Sequence, residues 1–251
     1  MTPLIRFEGL VKEFGSNRVL DGVDLEVRRG EVHFVLGRSG AGKSVLLKHV
    51  VGLLPPTEGR VEYEGQTVAE LGGTELRELR KRCQLIFQHP TLFEQLSVVE
   101  NVAMPVRKRF SVSATEASER ARAALERVDA LEHAERYPPE LGKGVQKRVS
   151  VARALALEPM TLLYDEPTTS LDPVSARRLD RTIRRMADES GMTSLVVSHD
   201  LASVETIADR VTFLDGGRVA FDGSLEAWRN SELEVVSRFR ASAARWNPEA
   251  R

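Results

Sequence analysis

Eight residues constrain this chain more than any other stretch: Gly37-Arg38-Ser39-Gly40-Ala41-Gly42-Lys43-Ser44. They follow the apolar run Val32-His33-Phe34-Val35-Leu36 and precede the helix-like run Val45-Leu46-Leu47-Lys48-His49-Val50-Val51. Strand, glycine-rich turn and helix with the spacing G-x-x-x-x-G-K-S make a phosphate-binding P-loop. Its glycines let the backbone bend tightly and present bare N–H groups to phosphate oxygens. The helix that opens at the loop adds the positive end of its dipole. Lys43 is placed to reach the β- and γ-phosphates, and the Ser44 hydroxyl to bind Mg²⁺. The ligand expected along residues 37 to 45 is a nucleoside triphosphate.

Composition narrows the rest. A chain of 251 residues, 41% hydrophobic and 29% charged, can bury one large or two modest cores. Its 36 Lys and Arg against 37 Asp and Glu leave a net charge of −1, which gives no reason to expect nucleic acid. Cys83 is the only cysteine, so an intramolecular disulfide or cysteine metal cluster is ruled out, as suits a reducing cytosol. The N-terminus lacks the apolar stretch of a signal peptide, and no run approaches the roughly 18 apolar residues of a membrane span. Any work at a membrane is expected to pass through a partner.

In chain order, Leu4 to Val11, Val19-Leu20 and Val23 to Val27 read as strands, and Val32 to Leu36 as a buried parallel strand. The helix after the P-loop is expected to stop at Leu53-Leu54-Pro55-Pro56. Arg60 to Gly65 is another strand, Thr74 to Arg82 a short helix, and Cys83 to Phe87 a strand ending at Gln88. From 89 to 156 the character is helical, with Ser113-Ala114-Thr115-Glu116 as a capping box. Met160 to Tyr164 and Ser194 to Ser198 are further core strands, Asp172-Pro173 opens a helix closed by Gly191, and residues 210 to 221 form a hairpin turning at Gly216-Gly217. The tail, 226 to 251, reads as helical. Ser231-Glu232-Leu233-Glu234 is a second capping box, and Leu233, Val236 and Phe239 form an apolar stripe.

Asp165-Glu166 ends an apolar strand, and ligands bind at that edge of a parallel sheet. Asp165 is a candidate Mg²⁺ ligand opposite Ser44, and Glu166 a candidate base for the water that attacks the γ-phosphate. His199 and Gln88 end two other strands at the same edge, the first able to contact the γ-phosphate and the second Mg²⁺ or the attacking water.

The P-loop, Gln88, Leu162 to Glu166, Ser170-Leu171-Asp172 and Ser198-His199-Asp200 occur in the order of an ABC-type ATPase subunit, which the chain resembles over about residues 3 to 225. The resemblance implies an α/β fold. It comprises a P-loop NTPase (RecA-like) core, an antiparallel β-subdomain and an inserted α-helical subdomain at about 89–156. It makes Gln88 the Q-loop glutamine, Asp165 the Walker B aspartate, Glu166 the catalytic glutamate, His199 the switch histidine and Asp172 part of the D-loop. Phe14 stands where the family stacks an aromatic, usually Tyr, on adenine. The resemblance further implies ATP and Mg²⁺, a head-to-tail dimer with a second copy, and integral-membrane permease subunits. The chain would then sit peripherally on the cytoplasmic face of the inner membrane.

One departure stands out. The family's signature loop, Leu-Ser-Gly-Gly-Gln, reads here Leu141-Gly142-Lys143-Gly144-Val145, so Gly142 replaces the serine that contacts the γ-phosphate held by the other subunit. One lost hydrogen bond to a charged acceptor is worth roughly 1.5–3 kcal/mol. Lys143 either compensates by its charge or obstructs closure.

Within the family, the segment Leu36 to His49, with Val45 for the commoner Thr, and Leu163 to Thr169, with Tyr164 before Asp165, resemble the ATPases of MCE/Mla-type lipid transporters. That narrower resemblance implies phospholipid or other hydrophobic cargo and a periplasmic MCE-type lipid-binding partner. The alternatives are an ABC ATPase for a different substrate and a nucleotide-switched scaffold with little hydrolysis. A DNA-maintenance ATPase would need long coiled-coil insertions, for which the interval from Gln88 to Leu141 is too short.

Overall fold

The computed structural model describes residues 2–244; residues 245–251, part of the tail expected to be helical, lie outside them. The elements in order are β1 (Ile5–Phe14), β2 (Asn17–Val27), β3 (Val32–Gly37), α1 (Lys43–Val50), β4 (Glu58–Tyr63), β5 (Gln66–Thr67), α2 (Gly73–Arg82) and β6 (Cys83–Ile86). The helical block α3 (Val98–Phe110), α4 (Ala114–Glu126) and α5 (Lys143–Leu155) follows. Then come β7 (Thr161–Asp165), α6 (Pro173–Ser190), β8 (Thr193–Ser198), α7 (Leu201–Ile207), β9 (Arg210–Asp215), β10 (Arg218–Ser224), α8 (Leu225–Arg229) and α9 (Glu234–Ala244).

Among the described residues the strands form two sheets, β2-β1-β4-β5 and β10-β9-β3-β8-β7-β6. The first is antiparallel throughout. In the second, β9, β3, β8, β7 and β6 run parallel and β10 returns antiparallel at the edge. Every residue of β3, β7 and β8 is buried, because successive side chains enter two different cores. Phe34 and Leu36 face the core shared with the helical block and α6, whereas Val35, Leu195 and Val197 face the antiparallel sheet.

Several local expectations need correction. Helix α1 stops at Val50, before the prolines, because Gly52 adopts a left-handed φ of 62° and closes a double-bonded C-terminal turn. In that turn Gly52 N donates to His49 O and Leu53 N to Lys48 O. The strand-like stretches at Val19-Leu20 and Val23 to Val27 lie in one strand, β2, whose pairing with β1 shifts register between them. Only half of the first capping box forms: Ser113 Oγ accepts from Glu116 N, but the Glu116 carboxylate turns to Arg120. At the tail, Ser231 Oγ accepts from Leu233 N, Glu234 pairs with Arg238, and Leu233 lies exposed. A complete capping box instead opens α3, where Ser97 Oγ accepts from Glu100 N and Glu100 Oε2 accepts from Ser97 N.

Helices α8 and α9 pack on the parallel sheet. Trp228 is fully buried, with the rings of Phe213 and Phe221 at 6.0 and 5.5 Å. Its indole N–H has no hydrogen-bond partner among the described residues, so its contribution is packing. Trp228→Ala is expected to cost about 3–5 kcal/mol and Trp228→Phe clearly less, read as the shift in urea midpoint at unchanged slope.

Candidate active site

The parallel pairing decides which loops meet. Leu36 is registered with Ser198, and Val197 with Asp165, so the turns after β3, β8 and β7 leave one sheet edge together. The P-loop after β3 has Gly40 and Gly42 at φ of 83° and 91°. A Cβ on Gly42 would lie 2.5 Å from Leu20 Cδ2 and 3.0 Å from the Val19 carbonyl, so β2 backs directly on the loop. A Cβ on Gly37 would meet Leu214 O at 2.7 Å. These positions need glycine on steric grounds. The first helical bond of α1 runs from Leu46 N to Gly42 O. The N–H groups of Lys43, Ser44 and Val45 therefore project from the helix start, as an anion cradle requires.

Lys43 is buried and donates to Gly37 O at 2.8 Å and Arg38 O at 3.3 Å, with Glu166 Oε1 also 3.3 Å away. Ser44 Oγ donates to Asp165 Oδ1 at 2.6 Å. Glu166 Oε2 takes a 2.8 Å bond from His199 Nδ1 and a 3.3 Å bond from Thr169 Oγ1. Glu166 itself has a φ of 47°, a conformation that costs a side-chain-bearing residue about 1–3 kcal/mol. Its backbone bond to Val197 O and its three side-chain partners hold it there. Burial pushes the Glu166 carboxyl up, but the His199 bond and the Lys43 charge outweigh it and set it below the usual range. The bond to Glu166 raises His199 above the ordinary imidazole value. Lys43, Ser44, Asp165, Glu166 and His199 thus form one charge-compensated cluster.

The remaining expected residues are held by other partners, outside this cluster. Gln88 is exposed two residues beyond β6, the neighbour of β7, and its carbonyl accepts from Lys147 Nζ at 2.6 Å. Asp172 caps α6 by accepting from Ser175 N at 2.9 Å, and the Ser175 bonds lower its pKa. Phe14 ends β1 half-exposed, with Lys12 Nζ 5.2 Å from its ring centre. Gly142 is the N-cap of α5 and supplies no side-chain cap, while Lys143 begins the helix with a basic group at its positive end. A Cβ on Gly142 would meet nothing within 4 Å, but one on Gly144 would strike Ser175 Oγ at 2.5 Å. Only the second of these glycines is required by packing.

Two features escaped sequence reasoning. Arg177 of α6 pairs with Asp180 at 2.7 Å and with Asp200, the N-cap of α7, at 2.8 Å, so α6 is tied to the residue after His199. Burial lifts Asp180 to about 6 despite the opposing pull of Arg177. Lys147 is buried in α5, where burial lowers its ammonium to about 8 and Asp165 partly offsets that. No signal in the sequence marked it: Lys147 is flanked by Gln146 and Arg148, and its burial follows only from where α5 packs.

A model of the family described as ABC transporter matches residues 20–169. The chain belongs to the ABC transporter family. The methionine import ATP-binding protein MetN of Caulobacter vibrioides is 41% identical over 225 residues, spanning 89% of this chain and 68% of the relative. The protein of the same name in Francisella tularensis subsp. holarctica is 36% identical over 241 residues, spanning 94% and 69%. Among solved structures, the ATP-binding cassette MJ0796, a dimer bound to ADP and Pi, aligns with a TM-score of 0.80 at 30% identity over 88% of this chain and 98% of that one. The cbiO1 protein of Clostridium perfringens, part of the ABC transporter complex cbiONQ, gives a TM-score of 0.82 at 27% identity over 96% and 99%.

The chain is therefore an ABC-type ATPase, the ATP-binding subunit of a transporter, with the expected α/β fold. The narrower lipid-transporter resemblance finds no support in these relatives, whose names specify methionine import. The structure supplies a physical reason for its weakness. Tyr164 and His49 are buried and Val45 packs against the core, so these residues record how the sheet and α1 are filled and carry no information about cargo.

The Glu166–His199 pair gives a pH prediction. Because folding raises the His199 pKa, the pair's stabilisation is complete below the ordinary imidazole value and is lost as pH rises through the folded value. Glu166→Gln removes the main cause of the shift, so the His199 pKa should fall towards the usual 6.5, read by NMR titration of the imidazole.

Proposed function

We propose that this ATPase hydrolyses Mg–ATP between two head-to-tail copies of the chain and drives permease subunits that it meets at the cytoplasmic face of a membrane. The observation that carries the hydrolytic part is the Lys43–Glu166–His199 chain beside the Ser44–Asp165 pair. Glu166 accepts the proton of the attacking water as its oxygen bonds to the γ-phosphorus and the bond to ADP breaks. The carboxylate has two oxygens with distinct tasks. Oε2 stays oriented by His199 and Thr169, and Oε1 is released to the water when the Lys43 ammonium moves from Glu166 to the phosphates. Phe14 stacks on the adenine.

The Ser44 hydroxyl and Asp165 carboxylate are hard oxygen donors 2.6 Å apart, and with the Gln88 amide they fit Mg²⁺. Held there, the ion would supply positive charge that offsets the charge developing on the phosphate in the transition state. Gly142, Lys143 and Gly144, with the start of α5 behind them and Asp172 nearby, face the ATP held by the opposite copy. No helix among the described residues is long and apolar enough to cross a membrane. The permease contact is the 250 Å³ groove beside the Q-loop, whose lining includes the exposed Phe87, Phe93 and Met104.

For cargo, the relatives' names favour import of methionine or another small solute over lipid. The lipid reading rests on the sequence flanking the P-loop and on Tyr164. Co-purifying the chain with its permease and measuring ATPase stimulation by methionine separates the two. Stimulation supports import, whereas bound phospholipid with no methionine response supports the lipid reading.

Glu166→Gln should lower turnover by at least about 10²-fold with ATP binding retained, the scale of a general-base contribution. Equal rates for the variant and the parent would refute the hydrolytic reading. Gly142→Ser with Lys143→Gly should raise steady-state turnover, since a serine side chain fits without contact and restores a phosphate donor and helix cap. A fall would show that the native loop is specialised for Lys143.

A further inference from the structure

The Q-loop is fastened to α5 along its length. Lys147 Nζ donates to Phe87 O at 2.9 Å and to Gln88 O at 2.6 Å. Six residues further along α5, Arg153 donates to Thr91 O at 2.9 Å, Thr91 Oγ1 at 3.0 Å and Pro90 O at 3.2 Å. Strand β6 ends at Ile86, so from Phe87 onward these cations replace the ladder bonds that strand pairing no longer supplies.

Lys147 is 2% exposed and donates to two adjacent backbone carbonyls. A buried ammonium is costly unless its donors are matched, and here the matching pins the peptide units flanking the Gln88 α-carbon. The same helix begins at the Gly142–Lys143 loop, about 6 Å of helix rise from Lys147. One rigid element therefore carries the loop that faces the opposite copy's ATP and the amine that fixes Gln88.

We infer that Lys147 is a positioning residue for hydrolysis: by gripping the Phe87 and Gln88 carbonyls it sets the Gln88 side chain at the nucleotide and makes that placement follow α5. Arg153 secures the far end of the same segment but does not touch Gln88. The inference rests on the hydrolytic reading given above, with Gln88 at the reacting nucleotide.

The test uses the full chain with Lys147→Met, Lys147→Gln, Gln88→Ala and the two double variants at these positions. Lys147→Met keeps the side chain's length and removes its donors. It should lower kcat roughly 10–100-fold with KM for ATP changed less than about twofold, the pattern of an interaction needed for the chemical step and not for binding. Lys147→Gln, which keeps N–H donors without the charge, should recover part of the loss. In the Gln88→Ala background neither change at 147 should lower kcat further, because Lys147 acts through Gln88. In the nucleotide-free chain, the amides of Phe87, Gln88, His89 and Thr91 should exchange at least 10-fold faster in Lys147→Met, with the core strands unaffected.

Wild-type kcat in Lys147→Met, losses that multiply in the double variants, or unchanged exchange at 87 to 91 would overturn the inference. If Lys147→Met does not fold, Lys147→Ala, which also removes the donors, takes its place under the same criteria. If the parent chain hydrolyses ATP no faster than Glu166→Gln, the hydrolytic reading fails. The exchange result then still reports whether Lys147 holds the Q-loop.

Discussion

The pairing of β3 with β8, and of β8 with β7, is the constraint on which the active site depends. Parallel strands in register end at the same edge, so the loops after Gly37, Ser198 and Asp165 have to converge. Residues 43, 166 and 199 are far apart in the chain and come within 3.3 Å of one another in succession through this register alone. A one-residue slip in any of the three strands would also send its side chains into the wrong core, because the two faces of the sheet pack against different layers. Packing on both faces thereby protects the geometry at the edge.

Electrostatic balance is the second organising feature. The cluster sets the buried Lys43 ammonium against the Glu166 carboxylate, whose other oxygen takes a hydrogen bond from the exposed His199 ring, while Asp165 accepts from Ser44. The same economy governs α5. Its buried Lys147 and partly buried Arg153 donate to carbonyls of the Phe87 to Thr91 segment, which gives that irregular stretch the bonding that a strand would otherwise supply.

The signature loop departs from the family pattern at Gly142, Lys143 and Val145, the first of them a position that packing leaves free, and keeps glycine at Gly144, where packing demands it. Gly142 has open space around its Cα, whereas Gly144 approaches Ser175 too closely for any side chain. The glycine that seats α5 against α6 is therefore retained, while Gly142 stands at a position with room for a side chain. Lys143 adds a positive charge to a helix terminus that is already positive, so its electrostatic compensation has to come from outside the chain's own first turn.

By itself the sequence determined the elements and their order. Its apolar runs at Val32 to Leu36, Leu162 to Tyr164 and Leu195 to Val197 can only be strands buried on both faces, and its P-loop spacing imposes a phosphate cradle. Because Lys43, Asp165, Glu166 and His199 each follow such a run, the site was legible as soon as a parallel sheet was assumed. Helix ends were less legible where a left-handed glycine, as at Gly52, stopped the chain before the expected prolines, and where Glu116 chose Arg120 over its cap. What tertiary structure alone decided was which polar groups face each other across elements. The grip of Lys147 on Gln88 spans 59 residues and that of Arg177 on Asp200 spans 23, and neither leaves a local pattern. Such contacts depend on where whole helices pack, and local spacing does not encode that.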